Sequence, residues 1–258
     1  VIYIEITIQT VFGTKWNVKI DREAFNVTER RARRQIIVID SHTHIFPHSM
    51  IESRDRICSR DSWFNQLYGE GANMATYDQL LSSMDDAGID QAVIMGRQAG
   101  SKYGFVLNDD IAELGHRYPG KFYLFGGVCL NAVSAAIAEV ERVIGEMNFK
   151  GIAVDGGWSD PPVYIDDERF FPIYEKCQSL GAILSLSMSI FLGPDLTYVS
   201  PVRLQHIAAS FPDLLIVVPH AGWPYVMEFL GVAFMYRNVW LAPDFYVYIP
   251  GMPGAIQY

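Results

Sequence analysis

From residue 36 onward the sequence keeps one rhythm, and that rhythm limits the folds open to it. Short apolar runs occur at residues 36–39, 92–95, 122–128, 152–154, 182–186, 214–218 and 239–241. Each is rich in Val, Ile and Leu and lacks polar alternation, as in parallel strands buried on both faces. Helical patterns separate them. Val133, Ala136, Ile137, Val140, Val143, Ile144 and Met147 follow the spacing of a single helix face. Helices are also expected over 75–87, 105–118, 168–180, 201–211 and 224–236. Gly88, Gly120 and Gly181 follow three of them as left-handed caps, and Pro119 and Pro212 stop two. Strands alternating with helices make βαβ units and a parallel sheet.

The fold class expected over residues 36–258 is therefore an α/β, (β/α)8 TIM barrel with seven β/α units visible. A last strand and helix are expected beyond Tyr258, and a natural start before Val1. The alternative is an open doubly wound sheet. Its nucleotide-binding form is disfavoured, because a His-rich turn stands where a glycine-rich fingerprint would follow the first strand.

Residues 1–35 read as a separate extension. Ile2, Ile4, Ile6 and Ile8 alternate with Tyr3, Glu5, Thr7 and Gln9, and residues 16–20 alternate again beyond a turn at Phe12-Gly13-Thr14. A β-hairpin is expected there, followed by a basic linker with Arg30, Arg31, Arg33 and Arg34. The net charge of -9 argues against nucleic acid and against an anionic membrane surface as partners. No apolar run reaches membrane-spanning length, and the first residues lack the order of a signal peptide. The three cysteines, Cys58, Cys129 and Cys177, match no zinc or disulfide spacing, and a reducing cytoplasm is the expected compartment. Cys129 and Cys177 lie among apolar residues and read as buried.

The chemistry concentrates at the ends of the apolar runs. The first run leads into Asp40-Ser41-His42-Thr43-His44. Side chains two apart in extended backbone point the same way, so His42 and His44 face one side together at the end where barrel enzymes carry their sites. Two adjacent imidazoles suit Zn2+ or another first-row divalent metal. His220 follows the sixth run in the same manner. Arg97 stands just past the second run, where it is suited to hold a carboxylate or to serve as a surface loop residue. Asp155 ends the fourth run, and Trp158, three residues on, offers a stacking face. Asp40 reads equally as a ligand and as a partner of backbone amides. His48 lies in the long loop over residues 45–74, whose Trp63, Phe64 and Tyr68 read as a pocket wall or a subunit contact. His116 and His206 read as outer helix residues.

Val38-Ile39-Asp40-Ser41-His42-Thr43-His44 resembles the opening signature of the amidohydrolase superfamily. Met84-Asp85-Asp86-Ala87-Gly88-Ile89-Asp90, Tyr118-Pro119-Gly120-Lys121-Phe122, Phe149-Lys150-Gly151-Ile152 and Val218-Pro219-His220-Ala221-Gly222 resemble later motifs of its amidohydrolase-2 (amidohydrolase-related) group. The resemblance runs from about residue 36 to about 245. It implies a metal-dependent hydrolase or decarboxylase, with His42, His44 and His220 as metal ligands and His220 also as acid/base. It further implies a small carboxylated substrate, aromatic or otherwise unsaturated, and a homo-oligomer; Arg97, Asp155, Trp158 and His48 are expected to line the substrate site from their own positions. Two departures stand out. The group's metal-binding His at the end of the fifth strand is replaced by Ser187 or Ser189, and its eighth-strand Asp lies beyond the chain, since Asp244 belongs to the seventh strand by count. A metal-free lactonase-like hydrolase and a non-catalytic binding barrel are the alternatives.

Overall fold

The computed structural model describes residues 3–9, 15–21, 37–45, 76–99, 105–190 and 192–243. The expectations for Arg30 to Arg34, Cys58, His48, the aromatic loop residues and Asp244 lie outside the described residues. The chain divides into two units, residues 1–39 with 76–91, and residues 40–75 with 92–258.

In the first unit, β1 (Tyr3–Gln9) and β2 (Lys15–Asp21) pair antiparallel with Ile6 opposite Val18, the hairpin that the alternation predicts. Helix α1 (Tyr77–Ala87) opens on a capping box. The Thr76 side chain accepts from the Gln79 N–H, and the Gln79 side chain accepts from the Thr76 N–H. Gly88 ends the helix at φ 70°, a left-handed position that suits glycine. Further on, Val38 donates to the Asp90 carboxylate at 3.0 Å, and its carbonyl accepts from Asp90 and Gln91.

The second unit carries the sheet. Its elements in chain order are β3 (Ile39–His44), β4 (Gln91–Met95), the short β5 (Arg97–Gln98) and β6 (Phe105–Val106), and α2 (Asn108–Arg117). Next come β7 (Phe122–Gly127), α3 (Val133–Glu141), β8 (Gly151–Val154), α4 (Phe171–Ser179) and β9 (Ile183–Leu186). The last are α5 (Pro201–Ser210), β10 (Ile216–Pro219), α6 (Val226–Met235) and β11 (Val239–Ala242). Seven strands lie in the order β3-β4-β7-β8-β9-β10-β11, and from β4 onward each neighbouring pair is parallel. Every strand sits beside its predecessor in the chain. Right-handed crossovers repeated in one direction produce that order, whereas a doubly wound sheet reverses it at a switch point. This is the winding of an α/β barrel.

The two faces of the sheet carry different loads. Leu124 meets Gly115 of α2, and Gly126 meets Val143, so even-numbered residues of β7 face helices. The register continues that face through Ile152, Val154, Leu184, Leu186, Ile216 and Val218, all fully buried. The inner face packs Met95, Phe125 and Ala153 with Val93 and Ile183. Both faces are apolar, which is why the strands read as unbroken apolar runs.

Three expectations are corrected. The first strand begins at Ile39, later than the apolar run over residues 36–39 suggests, while its extended backbone carries both histidines to His44 as expected. Residues 105–106, expected to open a helix, pair instead with Arg97–Gln98, and Gln98 Nε2 donates to the Val106 carbonyl at 2.9 Å. Cys129 is exposed, since it falls in the turn after β7, whereas Cys177 is buried in α4 as expected.

Candidate active site

β3 sets the first two histidines side by side. Their ring centroids are 4.6 Å apart and their Nε2 atoms 2.9 Å apart. Asp40 holds the strand around them. One carboxylate oxygen accepts from the His42 N–H and the other from the Thr43 hydroxyl, both at 3.0 Å. Asp40 thus takes the backbone role that its position allowed.

His220 arrives from β10. Three successive residues, His220, Ala221 and Gly222, have left-handed backbone, with φ of 62°, 47° and 69°. Two of them are not glycine, and such strain gathers at functional sites. Gly222 is required on steric grounds too, since a Cβ there would lie 2.2 Å from the Phe229 ring. The turn buries the His220 side chain and brings its ring centroid within 4.8 Å of that of His42. β3 and β10 are five strands apart in the sheet order. Their histidines meet because the sheet curls.

Arg97 follows Gly96 at the end of β4. A Cβ on Gly96 would sit 2.1 Å from the Gly127 nitrogen, so the ends of β4 and β7 approach backbone to backbone and Arg97 is set close in. Its Nη2 lies 3.4 Å from His44 Nε2, its Nε 3.6 Å from Asp155 Oδ2, and its Cζ 4.8 Å from the centre of the Trp158 ring. The two side chains of the ion pair are only 12% and 4% exposed. Asp155 follows β8, and Trp158 closes the 3-10 turn Gly156–Trp158. The described residues therefore bring His42, His44, His220, Arg97, Asp155 and Trp158 into one contiguous cluster. His116 and His206 stand apart on helices, His206 bonded to Asp166 at 3.0 Å.

Burial disfavours the protonated form of His44. Burial is the largest cause holding its pKa well below 6.5, and the charges of Arg97, His42 and His220 add to it, while the Met95 backbone acts in the opposite sense. A neutral imidazole offers a lone pair. Two nitrogens bound at right angles to one ion at about 2.1 Å lie about 3 Å apart, close to the separation of the two Nε2 atoms. Among the described residues, no group of three His, Cys, Asp or Glu is arranged to hold a metal ion.

Sequence reading missed Asn108. Buried at the start of α2, it bonds both backbone groups of Gly127 and also donates to Glu139 Oε1 at 2.6 Å. An Asn before two Asp residues at a helix start resembles an ordinary cap, and nothing in the spacing identifies its true partner. Ser185 was also missed. It lies on the inner face of β9 opposite Ala153, and its Oγ is buried with no hydrogen-bond partner among the described residues.

The family model described as Amidohydrolase matches residues 39–249, and the chain belongs to that family. Among curated proteins it is similar to a 2-amino-3-carboxymuconate-6-semialdehyde decarboxylase of Dictyostelium discoideum, 30% identical over 89 residues, which are 34% of this chain and 24% of that protein. It is also similar to a gamma-resorcylate decarboxylase of Polaromonas sp. (strain JS666 / ATCC BAA-500), 26% identical over 161 residues, which are 52% of this chain and 48% of that protein. The chain thus spans less than half the length of either relative. Among solved structures, an uncharacterized TIM-barrel protein, Bb4693, of Bordetella bronchiseptica superposes with a TM-score of 0.75 at 28% identity, covering 85% of this chain and 79% of that one. A dihydroxybenzoic acid decarboxylase of Polaromonas sp. JS666, with bound manganese and the inhibitor 2-nitroresorcinol, superposes at 0.57 with 20% identity over 78% and 68% of the two chains. The fold is the TIM barrel of the amidohydrolases. No helix among the described residues is long and apolar enough to cross a membrane.

Proposed function

We propose that the chain carries the active site of a metal-assisted enzyme acting on a small planar carboxylate, with decarboxylation as the favoured reaction. The observation that carries this reading is Arg97, held by Asp155 and stacked on Trp158 beside the histidine pair. A guanidinium in that setting binds a carboxylate through two parallel hydrogen bonds, and the indole face accepts an aromatic or unsaturated ring. The decarboxylase relatives support the same substrate class.

His42 and His44 would hold a divalent cation as adjacent nitrogen ligands, and His220, whose ring packs against that of His42, stands beside them as the acid. When bound, the cation supplies polarisation of a carboxylate or carbonyl oxygen. Zinc was the sequence-based expectation, and manganese occupies the decarboxylase structure, so both ions belong in the test. In decarboxylation the bond between the ring and the carboxyl carbon breaks, CO2 leaves with the carboxyl oxygens, and the ring carbon keeps the electron pair. His220 delivers the proton that this carbon then takes up. Arg97 and Trp158 orient the ring, and the apolar inner face below excludes water.

Metal-free lactone hydrolysis is the second reading. It draws on Ser187, which stands at the end of β9 in place of a histidine ligand. The described cysteines are free thiols, which suits the reducing cytoplasm.

The test is CO2 release from a panel of hydroxybenzoates and unsaturated carboxylates, with Mn2+ or Zn2+ supplied, run beside a lactone panel. Decarboxylation is expected, with R97M raising KM and H220A lowering kcat. Lactone hydrolysis alone would favour the second reading. Turnover on neither panel would sink both.

A further inference from the structure

Arg97 touches the histidine pair in a way that carboxylate binding does not require. A guanidinium has donors only, so at the Arg97 Nη2 contact His44 Nε2 presents its lone pair. His42 Nε2 must then donate across the 2.9 Å contact to the same atom. Two donors converge on the lone pair that a divalent cation on the pair would take. A guanidinium and a dication cannot share it, because their charges repel strongly in a site this little exposed.

We propose that Arg97 is a built-in competitor for the cation: contact with His44 and cation binding at the histidine pair exclude each other, and Asp155 is the seat to which Arg97 withdraws. This rests on the reading above only in taking His42 and His44 as the cation site. Asp155 is suited to the task. It is buried, it lies 3.6 Å from Arg97 Nε, and the Trp158 face underlies the guanidinium in its present place. A modest shift towards Asp155 lengthens the contact with His44 without moving Arg97 out of the site. A consequence is order in binding. The Nη2 group that faces His44 becomes available to a substrate carboxylate once the cation has taken the lone pair.

The experiment is calorimetric titration of the metal-stripped full chain with Mn2+ alone, for wild type, R97M, R97Q, D155N, the R97M/D155N pair and H42A/H44A. R97M and R97Q are expected to bind Mn2+ at least about tenfold more tightly than wild type. D155N should weaken binding in the wild-type background and have little effect in R97M, which separates a seat for Arg97 from a general loss of negative charge. H42A/H44A should not bind. R97Q keeps a neutral donor and carries the test if R97M fails to fold. Equal or weaker binding by both Arg97 variants overturns the proposal. So does a D155N effect of the same size in both backgrounds, retention of Mn2+ by H42A/H44A, or no Mn2+ binding by any form. The CO2 assay stands apart from this readout, so a chain that decarboxylates nothing yet shows the Arg97 effect loses only the activity reading.

Discussion

The side chain of Asn108 occupies both backbone hydrogen-bonding groups of Gly127, accepting from its N–H at 2.8 Å and donating to its carbonyl at 3.0 Å. Gly127 in turn lies against the backbone of Arg97, where an added Cβ would come within 2.7 Å of the Arg97 nitrogen. A buried amide on a neighbouring helix therefore fixes the strand end against which Arg97 is set. N108A leaves two buried backbone groups unanswered and should lower stability by about 2 to 4 kcal/mol. Urea unfolding measures it, and a loss below about 1 kcal/mol would show that water replaces the amide without penalty.

Ser185 predicts the opposite sign. Its hydroxyl is buried on the inner face of β9 and meets no partner among the described residues. Removing an unsatisfied polar group relieves its desolvation penalty, so S185A should leave stability unchanged or raise it by up to about 1 kcal/mol. Thermal unfolding decides. A clear fall in Tm would mean that the hydroxyl has a structural partner.

Glu139 sets part of the acid limb. Its carboxyl is held below the ordinary value of 4.5, mainly by the hydrogen bond from Arg142, with Asn108 contributing. A carboxyl whose folded pKa is depressed gives stability that is complete above the unfolded value and is lost as pH falls through the folded one. E139Q should therefore be less stable than wild type at neutral pH, and the gap should narrow below about pH 4.5. A gap that stays constant with pH would remove the ionic contribution.

The cysteines should differ in reactivity. Burial pushes the Cys177 thiol up to about 12, while Cys129 is exposed. In a C58A chain, a chromogenic thiol reagent should modify one thiol rapidly and the second only on unfolding. Two fast thiols would contradict the packing of α4.

Much of the barrel was legible because a strand buried on two faces must be apolar throughout, and seven such runs are hard to mistake. The candidate site was legible by position: His42, His44, Arg97, Asp155 and His220 each lie on or next to a strand end, where this fold collects its chemistry. What those residues touch was not legible. That Arg97 reaches both His44 and Asp155 depends on the bare backbones of Gly96 and Gly127, and glycine in a sequence does not name its neighbour. The β5–β6 pair was missed because two residues carry no period. Cys129 was misplaced because apolar neighbours in sequence say little about a residue in a turn.

The three-residue left-handed turn at His220 has a consequence for assembly. The turn is local, but its ring meets His42 only after the intervening β/α units have been laid down and the sheet has curled. No short stretch of this chain can preform the cluster, and the contact of His42 with His220 spans most of the sequence. Such contacts come late in folding, because a long loop must be closed before they return any energy. The packing of His220 on His42 would then serve as a reporter of completed folding, blind to partly assembled states.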